Sequence, residues 1–369
     1  MHRILILAVI VAFSLEGVNY QILSAKLKKK APEWMLEQVQ QDLEPFQEKG
    51  VTKEALLATP QRLAHSPRTF LCKVFEGQVE FFLCRDLQPV VSDAMFSQSD
   101  RFRFKAINYA ITHLSKYYGL SDMEFIISLE DSVDEEYPAP VMTFAKNKNV
   151  KSSVLFPDYE AIWGYKSFIK EVARGNALYP SHKKVDKAFW RGSTTGGAFT
   201  VSNWREYPRS QLVLFSKKHP ELVDAKYTNI VPGAESRTLQ KIFQDLRILS
   251  QPVIIPDHIQ YRYLIDIDGN SCSYARLVWI LMTSSLCLKQ ESDNIQWYYK
   301  QLKPYVHYLP FKPDMSDFKQ QILWARSHPE EVYNIIDAAN TFVKEHLTQE
   351  LVFQYIHVLL QTYAKLMPY

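Results

Sequence analysis
Three stretches of this 369-residue chain carry side chains that could do chemistry. The first is Tyr261 to Ser292, YRYLIDIDGNSCSYARLVWILMTSSLCLKQES. Tyr263 to Ile267 is short, apolar and partly β-branched, so it reads as a strand. Gly269 and Asn270 stop it, and Tyr274 to Met282 continues with helical spacing. The turn Gly269-Asn270-Ser271-Cys272-Ser273 therefore feeds a helix start, where unpartnered amides and the positive end of the macrodipole favour an anion. Arg276 can add a bidentate, charge-assisted contact to a phosphate, and the hydroxyls of Ser271 and Ser273 can donate as well. The plainer reading keeps Ser273 as a helix cap and Arg276 on a solvated face, and no full glycine fingerprint separates the two.

The second stretch is Ala188 to Gly197, AFWRGSTTGG. A short apolar strand runs into a hydroxyl-rich turn that begins with Arg191, Gly192 and Ser193. Such a turn can bring backbone amides close to a phosphate or sugar, although the same composition describes many ordinary loops. The third is MEFIISL, Met123 to Leu129, a strand that ends in Glu130-Asp131. Ligand groups in open α/β sheets gather beyond the carboxyl ends of strands, and a carboxylate there can take the proton of an attacking hydroxyl. An ordinary strand-end carboxylate is the alternative, and Asp134, Glu135 and Glu136 read as a solvated loop. Asp266-Ile267-Asp268 puts two carboxylates on one face of a strand, the pattern by which some glycosyltransferases hold a divalent cation. Strand-end carboxylates more commonly cap or face water. A Walker loop, HExxH, GxSxG and a CxxC pair are all missing from the sequence.

The elements that must position these residues follow from periodicity. Leu286-Cys287-Leu288 predicts a strand parallel to Tyr263–Ile267, which is half of a doubly wound sheet. Trp34 to Gln47, Thr52 to Ala58, Arg101 to Tyr118, Pro208 to His219 and Ser236 to Leu249 read as helices, Val141 to Ala145 and Tyr305 to Pro310 as strands, and the chain from Ser316 onward as helical. FLCKVF-EGQ-VEFFLC reads as a hairpin. With its turn centred on Gln78, Cys72 and Cys84 face each other, as a disulfide or as two buried thiols. Cys272 and Cys287 complete the four cysteines, which show no metal-ligand spacing.

Composition narrows the field. The chain is long enough for two domains, is 47% hydrophobic and 22% charged, and is rich in aromatics, with 21 Phe, 21 Tyr and 7 Trp. A net charge of +3 gives no basis for nucleic-acid binding. Ile4 to Leu15 is apolar but for Ser14 and falls short of the ~20 residues of a bilayer span, which fits a secretory signal or an uncleaved anchor. Lys26, Lys28, Lys29 and Lys30 suit either an anionic membrane surface or a solvated linker.

Taken together, FWRGS (Phe189–Ser193), LVDAKYT (Leu222–Thr228), DHIQYRYLIDIDGNSCSYAR (Asp257–Arg276), LKQES (Leu288–Ser292) and LKPYVHYLP (Leu302–Pro310), followed by DMSD, resemble glycosyltransferase family 90, the capsule-associated and protein O-glucosyltransferase group. These motifs keep the family's order from about Glu124 to the C-terminus. The resemblance implies an α/β fold of the GT-B type, two Rossmann-like domains facing a central cleft, with a UDP-sugar donor in the C-terminal lobe. It places the diphosphate on Arg276 and on Gly269, Asn270, Ser271, Cys272, Ser273 and Tyr274, the donor-side loop at Arg191, Gly192 and Ser193, and the catalytic base at Asp131. It further implies inversion without a metal, no cofactor beyond the donor, and a protein, glycan or lipopolysaccharide acceptor for a glucosyl or xylosyl group.

The expected organisation is a signal-like or anchor segment and linker over 1–30, an acceptor-side domain over 31–187, a nucleotide-sugar domain over 188–345, and a C-terminal helix over 346–369 packing back on the first domain. The turn through Ser271 to Ala275 is one residue longer than in eukaryotic protein O-glucosyltransferases, and Tyr305 stands where Trp is common. The ending Lys365-Leu366-Met367-Pro368-Tyr369 is not an ER-retention signal. The expected location is the secretory or endomembrane system or a membrane surface, its cytoplasmic face included. Competing readings are a DxD metal-dependent transferase, a catalytically silent binder of nucleotide sugars, and a structural surface protein.

Overall fold
Short β-branched and aromatic runs form the strands, each ended by the turn-forming or polar residues that follow it. In a computed structural model, which describes residues 18–367, these are β1 (Thr69–Phe75), β2 (Gln78–Leu83), β3 (Met123–Ser128), β4 (Val141–Thr143), β5 (Lys146–Asn147), β6 (Ser153–Leu155), β7 (Val185–Ser193), β8 (Val223–Asn229), β9 (Tyr261–Asp266), β10 (Leu286–Gln290), β11 (Asn294–Ile295) and β12 (Leu309–Phe311). The apolar run Ile4 to Leu15 lies outside the described residues. Among the described residues, no helix is long and apolar enough to cross a membrane.

Two five-stranded sheets result, ordered β2-β1-β3-β4-β6 and β12-β10-β9-β7-β8. In the first, β1 runs antiparallel to β2 and β3, while β3, β4 and β6 are parallel. The second is parallel throughout. The expected parallel partner of the Tyr263–Ile267 strand is present, with Leu286 opposite Tyr263 and Leu288 opposite Ile265. The fold is thus α/β with parallel sheets. Helices Pro208–Lys218, Ser236–Asp245 and Ala275–Leu281 lie between successive strands of the second sheet. Its core buries Trp190, Trp204, Tyr227, Phe243, Ile265 and Phe311, each contributing roughly 1.5–3 kcal/mol relative to exposure.

The strand order matters for the site. From β7 the chain moves to β8 on one side, then returns to β9 on the other side of β7 and continues outward to β10 and β12. The direction of winding reverses between β7 and β9, and ligands in such sheets bind beyond the carboxyl ends at that reversal. The two turns singled out above follow these two strands. Sequence spacing of about 75 residues becomes adjacency in space.

Two expectations need correction. The hairpin turns at Glu76 and Gly77, both at positive φ (47° and 79°), as a two-residue primed turn requires and as glycine tolerates without cost. Gln78 is therefore already in β2, and Cys72 pairs with Phe81 rather than Cys84. All four cysteines are free and buried. The strand placed at Tyr305 to Pro310 shrinks to β12, because Tyr305 takes φ 60° inside a turn closed by its N–H to the Tyr308 carbonyl at 2.8 Å. That backbone region is closed to a strand.

Helix Gln349–Ala364 packs on the first half: Tyr355 donates to the Leu155 carbonyl at 3.2 Å, and Gln354 to that of Lys26 at 2.8 Å. The halves are also joined by β5 and β11, where Asn147 pairs with Asn294. Beside them the Lys148 ammonium meets Asp293 at 2.7 Å.

Candidate active site
Asp131 lies just past β3, and the first half holds it from one side. Arg103, on helix Gln98–Tyr118, donates to the Leu129 carbonyl at 2.6 Å and to Asp131 Oδ1 at 2.9 Å. The guanidinium also lies 5.2 Å from the centroid of the Tyr159 ring. The second half holds Asp131 from the other side. Tyr274 gives its hydroxyl to the Asp131 carbonyl, and Asn270 Nδ2 donates to Asp131 Oδ2 at 3.1 Å. Burial, followed by the Asp131 charge, pushes the Tyr274 phenol well up, so it stays a donor.

The turn after β9 is shaped by short approaches. Tyr274 takes φ 47°, so the helix expected from Tyr274 to Met282 begins at Ala275 and ends at Leu281. A Cβ on Gly269 would stand 2.6 Å from Thr195 Oγ1 and 2.8 Å from Arg209 Nη2. A side chain there would have to displace Thr195 and Arg209 where the two turns meet. The hydroxyl of Ser273 is engaged by Asp266. Ser271 and Cys272 are buried, and the Ser271 hydroxyl has no partner among the described residues.

Two cations face this turn. Arg276 donates to the Arg191 carbonyl at 2.8 Å. Arg209, one residue into helix Pro208–Lys218, donates to the carbonyls of Asp268 at 2.7 Å, Ser193 at 3.0 Å and Ile267 at 3.3 Å. Burial and then the positive charge of Arg276 pull the Arg209 guanidinium down to about 10, still cationic at neutral pH. Burial, helped by Arg276 and Arg191, drives the His258 imidazole down to about 3. In both groups nearby arginines add to the effect of burial. Arg209 also lines a cleft of about 600 Å³ together with Thr195, Gly196, Gly269, Ser292 and Asn294.

Arg191, expected at the donor, turns its guanidinium elsewhere. It pairs with the Asp224 carboxylate at 2.8 Å, donates to the Asp224 carbonyl at 2.9 Å, and lies 4.2 Å from the centroid of the Phe189 ring. Its carbonyl, by contrast, receives Arg276. Gly192 and Ser193 close β7 beside it, and the Ser193 carbonyl receives Arg209.

Each DxD carboxylate has a protein donor, and Asp268 Oδ1 is buried with no hydrogen-bond partner among the described residues. Asp266 is fully buried against the Lys289 ammonium at 3.4 Å, and Asp268 accepts from Ser292 and from Asn294 at 3.0 Å. A cation at Asp266 would meet the positive charge of Lys289. Among the described residues, no group of three or more His, Cys, Asp or Glu is placed to hold a metal.

Sequence reasoning missed Arg103, Arg209 and Lys289 as members of this site. Arg103 and Arg209 sit in ordinary helical sequence, and nothing in its periodicity marks them. Lys289 lies inside the LKQES run, whose position in a central parallel strand is the one local hint that its charge must be paired.

Residues 28–369 match the model of glycosyl transferase family 90. The chain is 29% identical over 264 residues to protein O-glucosyltransferase 2 of Danio rerio, covering 69% of this chain and 49% of that protein. It is 28% identical over 269 residues to protein O-glucosyltransferase 1 of Homo sapiens, covering 68% of this chain and 64% of the relative. Against protein O-glucosyltransferase 3 of Rattus norvegicus the identity is 29% over 266 residues, covering 68% of this chain and 48% of the relative. The chain thus spans between about half and just under two-thirds of the length of these relatives.

Proposed function
Because this chain belongs to glycosyl transferase family 90, a family of sugar-transferring enzymes, we propose that it moves a glucosyl or xylosyl group from a UDP-sugar to a hydroxyl of a protein or of a glycan or lipopolysaccharide. The observation that carries this reading is the placement of one carboxylate, Asp131, across from two part-buried cations, Arg276 and Arg209, neither of which has a carboxylate ion-pair partner among the described residues. A diphosphate supplies the missing charge.

Asp131 takes the proton of the acceptor hydroxyl as that oxygen attacks the anomeric carbon. The bond from that carbon to the diphosphate breaks in the same step, its electron pair stays on the phosphate oxygen, and the configuration inverts. Arg276 and Arg209 stabilise the charge as it builds, with the amides and hydroxyls of the turns Ser193–Gly197 and Gly269–Tyr274 around it. No cation is needed, since guanidiniums occupy the role. Arg191 acts through its carbonyl, which orients Arg276, while its guanidinium braces β7 against Asp224. The architecture proposed is GT-B, with the first half presenting the acceptor and the second holding the donor, and the alignment of the two supplies the remaining rate advantage.

The names of the relatives favour glucose and a protein hydroxyl, and a place in the secretory or endomembrane system accords with the apolar N-terminal run. UDP release from a panel of UDP-sugars, with and without EDTA, tests the proposal. Turnover that survives EDTA and is lost in Asp131→Asn supports it. Turnover abolished by EDTA moves the chemistry to Asp266 and Asp268, and UDP binding without turnover on any donor makes the chain a binder.

A further inference from the structure
Asn270 is the exposed tip of the turn after β9, yet both ends of its side-chain amide are engaged. Nδ2 donates to Asp131 Oδ2 at 3.1 Å, and Oδ1 accepts the Gly196 N–H at 3.0 Å. One side chain therefore joins three segments: the end of β3 in the first sheet and the turns after β7 and β9 in the second. An exposed asparagine that only kept a turn soluble would need neither bond, and fixing its rotamer costs side-chain entropy.

The surroundings of Asp131 define what the contact does. Arg103 is the charged donor, to Oδ1. Tyr274 donates to the backbone carbonyl and not to the carboxylate. Tyr159 lies close enough for its phenol to feel the Asp131 charge but has the Arg103 guanidinium over its ring. Glu130, the neighbour in sequence, is held away by Ser66 at 2.8 Å and Arg68 at 3.2 Å. Among the described residues, Oδ2 has Asn270 as its one side-chain donor.

We propose that Asn270 is a positioning residue for the transfer reaction, orienting the Asp131 carboxylate toward the donor turn and, through Gly196, making that orientation depend on the assembly of both turns. The inference rests on Asp131 being the base. After one hydrogen bond Oδ2 keeps lone-pair capacity for an acceptor hydroxyl. The same turn carries the donor-binding groups, so the amide aligns the base with the turn on which the diphosphate is proposed to rest.

The test follows the carboxyl itself as well as the reaction. In the full chain labelled with 13C at the aspartate carboxyl carbons, the Asp131 signal is assigned by its loss in Asp131→Asn and titrated in wild type, Asn270→Ala and Asn270→Asp. UDP affinity is measured by calorimetry, and the pH dependence of kcat and kcat/KM is recorded. Loss of a hydrogen bond to the ionised form raises the Asp131 midpoint in Asn270→Ala relative to wild type, and a second carboxylate raises it further in Asn270→Asp. In Asn270→Ala the acid limb of kcat/KM moves with it, kcat falls about tenfold, and UDP affinity stays within about twofold. An unmoved Asp131 titration in both variants, with UDP affinity weakened instead, overturns the proposal and leaves Asn270 as a donor contact alone. If wild type releases no UDP from any donor, the assignment of activity fails, while the carboxyl titration still decides the contact.

Discussion
At their carboxyl ends the two sheets present opposite chemistry. β3 of the first delivers a carboxylate held by one arginine. β7 and β9 of the second deliver backbone amides, hydroxyls and two guanidiniums, while Asp266 and Asp268 each have at least one protein donor. A proton acceptor on one side and anion stabilisers on the other is the division that a displacement with an anionic leaving group needs. Within the second sheet the arginines divide further: Arg191 has its own carboxylate and Arg276 and Arg209 do not. Charge count alone treats the three as equal, and pairing separates them.

The largest effect is expected where the comparison is most exposed. Asp131→Asn should lower kcat by about 10²–10⁴-fold with UDP affinity retained in calorimetry, and undiminished turnover would remove the base from the first sheet. Lys289→Met leaves Asp266 buried without its cation and should cost about 3–5 kcal/mol of stability, read by urea unfolding. A smaller loss would mean that Asp266 is free enough to take other partners. Arg276→Ala should reduce kcat/KM for the donor by about 10²–10³-fold and weaken UDP binding in the same measurement. Arg191→Ala should instead show its main effect in unfolding, about 1 kcal/mol, since Asp224 loses its guanidinium but keeps Tyr261 and solvent, and equal donor effects in the two variants would erase the distinction between paired and unpaired arginines.

A further test concerns a site remote from the cleft. Burial pulls the Lys184 amine from its ordinary 10.5 down to about 7, where it donates to Ser285 at 2.7 Å. Between those two values the unfolded chain holds a proton that the folded chain does not, so stability rises with pH across that interval. The melting temperature of wild type should climb from pH 7 to pH 9.5 relative to that of Lys184→Met, and parallel curves would place the amine in a wetter setting.

How far the site was legible depends on where each residue's partners lie. Asp131, Asn270 and Arg276 follow a strand or enter a helix within a few residues, so local pattern exposes them. Arg209 and Arg103 are helical residues whose roles are set by carbonyls and carboxylates 16 or more residues away in sequence. The hairpin cysteines show the same limit at short range. One residue of error in the turn changes every cross-strand partner.

By itself the sequence determined the kinds of element and their parallel pairing, because apolar runs of strand length alternating with helical periods can bury their surfaces only in such layers. It also determined the order of motifs that marks the family. The tertiary structure alone decided which of several arginines keeps an uncompensated charge, since that depends on burial and on partners brought in from other segments. It also decided that an exposed asparagine reaches Asp131, because a hydrogen bond between residues 131 and 270 is a property of two sheets meeting and leaves no periodic trace in either stretch.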